Sequence, residues 1–181
     1  DVLFVVDNSR NLEVAHQAAS DGPTDHVVYW NDVLLATYRQ VGGAPGPLAR
    51  AGAMMHVAIY DAANSVRCAE RFAACLGQPY LIQVPGGGDF HTAIDYAAYE
   101  TLKSVYPTLN FDDELAAAQA DIPDSPQRTA GRSTGTQAAQ AIVQDRANDG
   151  STANPAYTPG SAAGAWRPTR PLPAGAAVTP H

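Results

Sequence analysis

From Leu48 to Ala63 nearly every position is apolar or small, with Arg50, His56 and Asp61 as the charged or titratable interruptions that matter. A helix that is apolar all round has no face to give to water, so it belongs at the centre of a helical fold. Pro45 and Pro47 precede it, and proline is tolerated in a first helical turn because its missing N–H has no partner there anyway. The stretch therefore predicts a buried central helix over 48–63.

Other helices follow from the same spacing argument. Trp30, Val33, Leu34, Tyr38 and Val41 recur at three- and four-residue steps, which predicts a helix from Thr24 or Asp25 to Gln40, stopped by Gly42-Gly43. After a long connection over 65–88, Asp89 is placed to cap a third helix whose apolar positions are Phe90, Ile94, Ala97, Ala98, Leu102 and Val105; Pro107 ends it. A short fourth helix covers about 112–120. Its acidic opening, Asp112-Asp113-Glu114, complements the helix dipole, whereas a calcium site would need more oxygens at regular intervals. A fifth runs from Ser125 or Pro126 to Asn148, with Asp149-Gly150 as its cap. Gly131, Gly135 and Ala138 or Ala139 let that helix approach a neighbour closely. The fold expected is all-α, about five helices around the central one.

The ends read differently. Residues 1–23 form an arm that starts with apolar Val2-Leu3-Phe4-Val5-Val6 and is broken by Asp21-Gly22-Pro23. Residues 151–181 hold six prolines in 31 positions, which predicts an extended tail that wraps a surface. Residues 24–150 are then the helical domain. Pro85-Gly86-Gly87-Gly88 is a flexible link; it lacks the Gly-Lys-Ser/Thr ending of a phosphate loop.

Composition narrows the function classes. The chain carries a formal net charge of −7, its one lysine is Lys103, and its arginines are scattered. Nucleic-acid binding needs clustered Lys and Arg, so no nucleic-acid partner is expected. No apolar run reaches the roughly 18 residues that a bilayer span needs. Charged residues are only 16% of the chain, which favours close helix packing or burial against a partner. The chain opens at Asp1: either a leader has been removed or the numbering starts at a boundary, and the first implies export, to a secreted or periplasmic location. Cys68 and Cys75 are the only cysteines; in an exported protein they pair, closing a small loop after the second helix, while in the cytosol they stay reduced.

The histidines offer little. His16, His26, His91 and His181 have no metal-ligand spacing, and neither cysteine lies beside a histidine, so no metal site is assigned. His56 and Asp61 share one polar interruption of the central helix. Their five-residue separation suits direct pairing poorly, and Tyr60 is the better helical neighbour for His56. The simplest reading has His56, Asp61 and Asn64 satisfying buried backbone or loop groups. An independent hydrolase built on His56 has no nucleophile beside its base and is the weakest reading.

Several phrases occur in a fixed order: Trp30-Asn31, Ala49-Arg50, His56-Val57-Ala58-Ile59-Tyr60-Asp61-Ala62-Ala63-Asn64, Ala97-Ala98-Tyr99-Glu100-Thr101-Leu102, Tyr106-Pro107, Ile122-Pro123-Asp124, Arg146-Ala147-Asn148-Asp149-Gly150, Tyr157-Thr158-Pro159-Gly160 and Gly164-Ala165-Trp166-Arg167-Pro168-Thr169. Over residues 25–180 the chain resembles the N-terminal half of bacterial vanadium-dependent haloperoxidases and their phosphatidic-acid-phosphatase-like relatives. The resemblance implies a helical bundle. In that family vanadate or phosphate sits among a Lys, two Arg, a Ser-Gly turn and histidines, written as Lys-x6-Arg-Pro, Pro-Ser-Gly-His and Ser-Arg-x5-His. An oxyanion needs such fixed donors and cations.

None of the three motifs is present. Arg167-Pro168 and Arg170-Pro171 have no lysine seven residues before them, and Ser133 in Gly131-Arg132-Ser133-Thr134-Gly135 has no following histidine. No catalytic, cofactor-binding or metal residue is carried over, and vanadate is expected only where a catalytic half is supplied elsewhere. Trp166-Arg167-Pro168-Thr169 is expected to pack the tail onto the helices. Asp7-Asn8-Ser9 also resembles the metal loop of von Willebrand A domains, but Asn11 stands where that loop needs a serine and no strand–helix alternation follows. Two functions remain open. The chain is a scaffold half whose chemistry lies on a second polypeptide half, or a non-catalytic secreted subunit that assembles with copies of itself through its arm and tail.

Overall fold

The computed structural model describes residues 22–70, 74–152 and 161–165. Among them the fold is all-helical: α1 (His26–Val41), α2 (Pro45–Ala69), α3 (Phe90–Val105), α4 (Asp112–Ala118) and α5 (Pro126–Asp145). The chain divides into two units, Asp1–Ala147 and Asn148–His181. In the second, the backbone N–H of Ser151 donates to Asp149 Oδ1 at 3.0 Å, and that of Ala165 donates to Ala162 O at 3.1 Å. The arm, most of the tail and Trp166-Arg167-Pro168-Thr169 lie outside the described residues.

In the first unit α2, α3 and α5 pack on one another, while α1 and α4 sit against α3. Met55, Ala58, Ala62 and Val66 of α2 meet Ala93, Ile94, Ala97 and Leu102 of α3 in one core that also takes Trp30, Phe111 and Ile142. The predicted central helix is buried as expected, and α3 shares the centre with it.

Caps define the helix starts. Asp25 Oδ1 accepts from the N–H groups of Val27 and Val28, Asp89 Oδ1 from Thr92 and Ser125 Oγ from Arg128. Each satisfies a donor that the first turn leaves without a partner. α3 and α5 approach closely because glycines face backbone. A Cβ on Gly131 would lie 2.5 Å from Asp89 O, and one on Gly135 would lie 2.3 Å from Ala93 O.

Two boundaries differ from the sequence reading. α2 continues six residues past Ala63, to Ala69. Asn64 and Ser65 directly follow the expected end at Ala63. Their side chains bind the returning loop, so the helix backbone keeps its own ladder. α5 ends at Asp145 rather than Asn148. Arg50 Nη2 donates to the carbonyl of Arg146 at 2.7 Å, and the chain tightens there into a turn in which Ala147 N–H bonds Gln144 O.

Candidate functional site

Two buried polar clusters are the places where chemistry would have to be sought. The first lies on the C-terminal half of α2. Tyr60, Asp61, Asn64, Ser65 and Cys68 fall at helical spacing and all engage residues 75–84. The Asp61 carboxylate, 2% exposed, accepts from three consecutive backbone N–H groups, Tyr80 at 2.6 Å, Leu81 at 2.8 Å and Ile82 at 3.1 Å. Asn64 Oδ1 accepts from Leu76 and Gly77, and Asn64 Nδ2 donates to Gly77 O. Ser65 Oγ donates to Asp61 O and accepts from Val84 N–H. Tyr60 OH donates to Gln78 O at 2.9 Å. Cys68 and Cys75 are joined by a disulfide, and Cys68 is still helical rather than in the loop beyond the helix.

This cluster is a clamp. Both carboxylate oxygens of Asp61 and Oδ1 of Asn64 accept from main-chain N–H groups of the loop, so these side chains serve to hold it. His56 stands apart from it, at the α1–α2 contact, where Nε2 is 3.3 Å from Asn31 Oδ1. Burial pushes the His56 pKa below the ordinary histidine value of 6.5. His56 is therefore neutral at pH 7, with its ring engaged by an amide of α1 rather than by Tyr60 or Asp61.

The second cluster was not singled out by the sequence reading. Asp95 is fully buried in the middle of α3 and accepts from three side chains, two on α1 and one at the end of α4. His26 Nδ1 is 2.7 Å from its Oδ1, Trp30 Nε1 donates to the same oxygen at 2.8 Å, and Gln119 Nε2 donates to Oδ2. Around this shell, Thr92 Oγ1 and Arg128 Nε donate to Gln119 Oε1, and Arg128 also pairs with Asp124. The His26 ring stacks on His91 with centroids 4.2 Å apart. Tyr29, whose OH donates to Glu114 O, has its pKa pushed up to about 12, chiefly by burial and then by the charges of Glu114 and Asp95. The available signal was an acid among the apolar positions of α3 and a His and Trp four residues apart on α1.

A His–Asp pair orients an imidazole, but covalent catalysis also needs a nucleophile within reach of it. Among the described residues no hydroxyl or thiol is bonded to His26, and no group of three or more His, Cys, Asp or Glu side chains could hold a metal ion. The cations do not converge either. Lys103 Nζ is on Tyr99 OH at 3.1 Å, Arg128 is on Gln119 and Asp124, and Arg146 is on Tyr80 OH and Asp145. The described residues thus do not fit vanadate, which needs several cations and donors on one centre. A shallow groove of about 200 Å³ between α3 and α5, lined by Glu100, Ser104, Ala139, Gln140, Val143 and Gln144, shares no residue with either cluster.

No protein-family model, no curated protein and no solved structure matches this chain.

Proposed function

We propose that this chain is the helical N-terminal portion of a vanadium haloperoxidase-like or phosphatidic-acid-phosphatase-like protein, and that a second half supplies the oxyanion chemistry. The observation that carries the reading is the one-sided packing of α1. This helix, which opens the strongest stretch of the resemblance, buries Trp30 and Leu34 but leaves Val27, Val28, Leu35 and Val41 exposed, Val28 at 55%. A covering half would bury such side chains, each worth about 1.5–3 kcal/mol when fully removed from water. The residues of the resemblance support the same role from inside. Trp30, Asp61 and Asn64 are all spent on holding the scaffold, and none points to a substrate.

The test is the intact mass of the natural polypeptide, with the gene sequence past codon 181 and the identity of any co-purifying chain. The expected result is a continuation or second chain carrying Lys-x6-Arg-Pro, Pro-Ser-Gly-His and Ser-Arg-x5-His. The complete protein should then oxidise halide with peroxide when vanadate is added, or release phosphate from a monoester. A polypeptide that ends at His181 and purifies without such a partner overturns the proposal.

A further inference from the structure

The clamp on α2 raises a question of its own: what is gained by pinning a loop so firmly. Six backbone N–H groups of residues 76–84, those of Leu76, Gly77, Tyr80, Leu81, Ile82 and Val84, are bonded to side chains of α2. With its backbone turned to the helix, the loop presents Leu76, Tyr80 and Leu81 to solvent at 53%, 54% and 39% exposure. Three large apolar side chains within six residues are thus held outward on a fixed backbone. Binding such a surface orders little that is not ordered already.

Charge says what fits it. From Ala74 to Gly88 there is no charged residue, in a chain whose formal net charge is −7. Depletion of charge with tyrosine retained is the composition of an interface core. Among the described residues, two ion pairs flank this stretch and carry both signs. At the disulfide end Arg67 and Glu70 pair at 3.0 Å, and beside Tyr80 Asp145 and Arg146 pair at 3.2 Å, all four side chains partly exposed. Arg146 Nη2 also donates to Tyr80 OH at 2.7 Å, which places that pair at the edge of the apolar trio. An uncharged centre beside adjacent opposite charges is self-complementary. Across a twofold axis, Arg146 of one copy can meet Asp145 of the other.

We propose that the loop over 74–84 is a self-association surface, through which two copies of this chain meet about a twofold axis, with Leu76, Tyr80 and Leu81 at the centre and the Asp145–Arg146 pairs exchanged at the rim. The inference is independent of the identity of any catalytic half, because α1 contributes nothing to it. The apolar trio is small, which places the contact among weak, transient interfaces rather than those of standard size.

Sedimentation equilibrium of the full chain from about 1 to 100 µM tests it. The mass is expected to rise from 18.9 kDa toward twice that value. Leu76→Ser with Leu81→Ser should weaken association about tenfold or more with the helical circular dichroism unchanged, since neither side chain is part of the core. Charge variants give a second arm. Arg146→Glu leaves two acids at this rim and Asp145→Lys leaves two bases, so each should associate poorly with itself and well with the other. A monomeric mass throughout overturns the proposal, as does a dimer indifferent to the loop variants, or a mixed pair no tighter than either charge variant alone.

Discussion

Asp95 is the residue on which the most distant parts of the helical unit depend. It takes donors from α1 and from the turn after α4 while sitting inside α3, so its replacement leaves His26, Trp30 and Gln119 without an acceptor. Removing one partner from a buried charged network is worth about 3–5 kcal/mol. Asp95→Ala should lose that much in urea unfolding. Asp95→Asn should lose less, because its amide keeps one acceptor oxygen. His56 makes a second residue-scale prediction, with a definite sign. Its folded pKa is held low by burial, so on acidification the unfolded chain takes the proton first. Stability is therefore full above about pH 6.5, the ordinary histidine value, and falls as pH drops through the window between that value and the lower folded one. A series of melting curves from pH 8 to 5 should show this fall, shallower in His56→Gln; an unchanged slope in the variant would reject the assignment.

At the scale of elements, close packing is the governing fact. Gly135 stands where a Cβ would be 2.3 Å from Ala93 O and 2.8 Å from Ala97 N, both backbone, so α3 and α5 would have to separate. Gly135→Ala should cost about 1–3 kcal/mol as an overpacking change. Gly46, in the first turn of α2, meets nothing within 4 Å and does not need a positive φ. Gly46→Ala should change stability by less than about 1 kcal/mol, because its gain through the unfolded chain is offset by crowding of the new Cβ against the Pro47 ring. Thermal or denaturant unfolding of the two variants decides both, and equal effects would show that the interhelical contact is looser than described. The small-residue stripe on α5 was legible in the sequence because spacing along one helix is local information. So was the cap at Asp89, while Asp25 and Ser125 each stood as one of two candidates, beside Thr24 and Pro126. The extension of α2 to Ala69 was not, because the partners of Asn64 and Ser65 lie 12–19 residues downstream. The Asp95 network was harder still: His26 is 69 positions away and carries no spacing signal. Apolar periodicity finds the faces of helices, and it is silent about which polar residue on a buried face is answered by which.

The whole helical unit is held by more than one kind of bond, and the disulfide separates them. Cys68–Cys75 closes a short ring, with a sequence separation of 7. On loop-closure entropy a ring of that size contributes about 2–3 kcal/mol. Neither cysteine belongs to the core that α2 makes with α3 and α5. Reduction should therefore lower the unfolding free energy by about that amount and leave one cooperative transition with the helical signal intact below it. The loop itself should stay in place, since Asp61, Asn64 and Ser65 still hold its main chain at six N–H groups. Hydrogen exchange separates the two contributions. With dithiothreitol the amides of Tyr80, Leu81 and Ile82 should remain protected, whereas Asp61→Ala should expose all three with the disulfide intact. Loss of protection on reduction alone would mean that the covalent link holds the loop and the carboxylate follows it. The opposite result makes the surface offered by Leu76, Tyr80 and Leu81 independent of redox state, because its shape is set by a buried carboxylate rather than by sulfur.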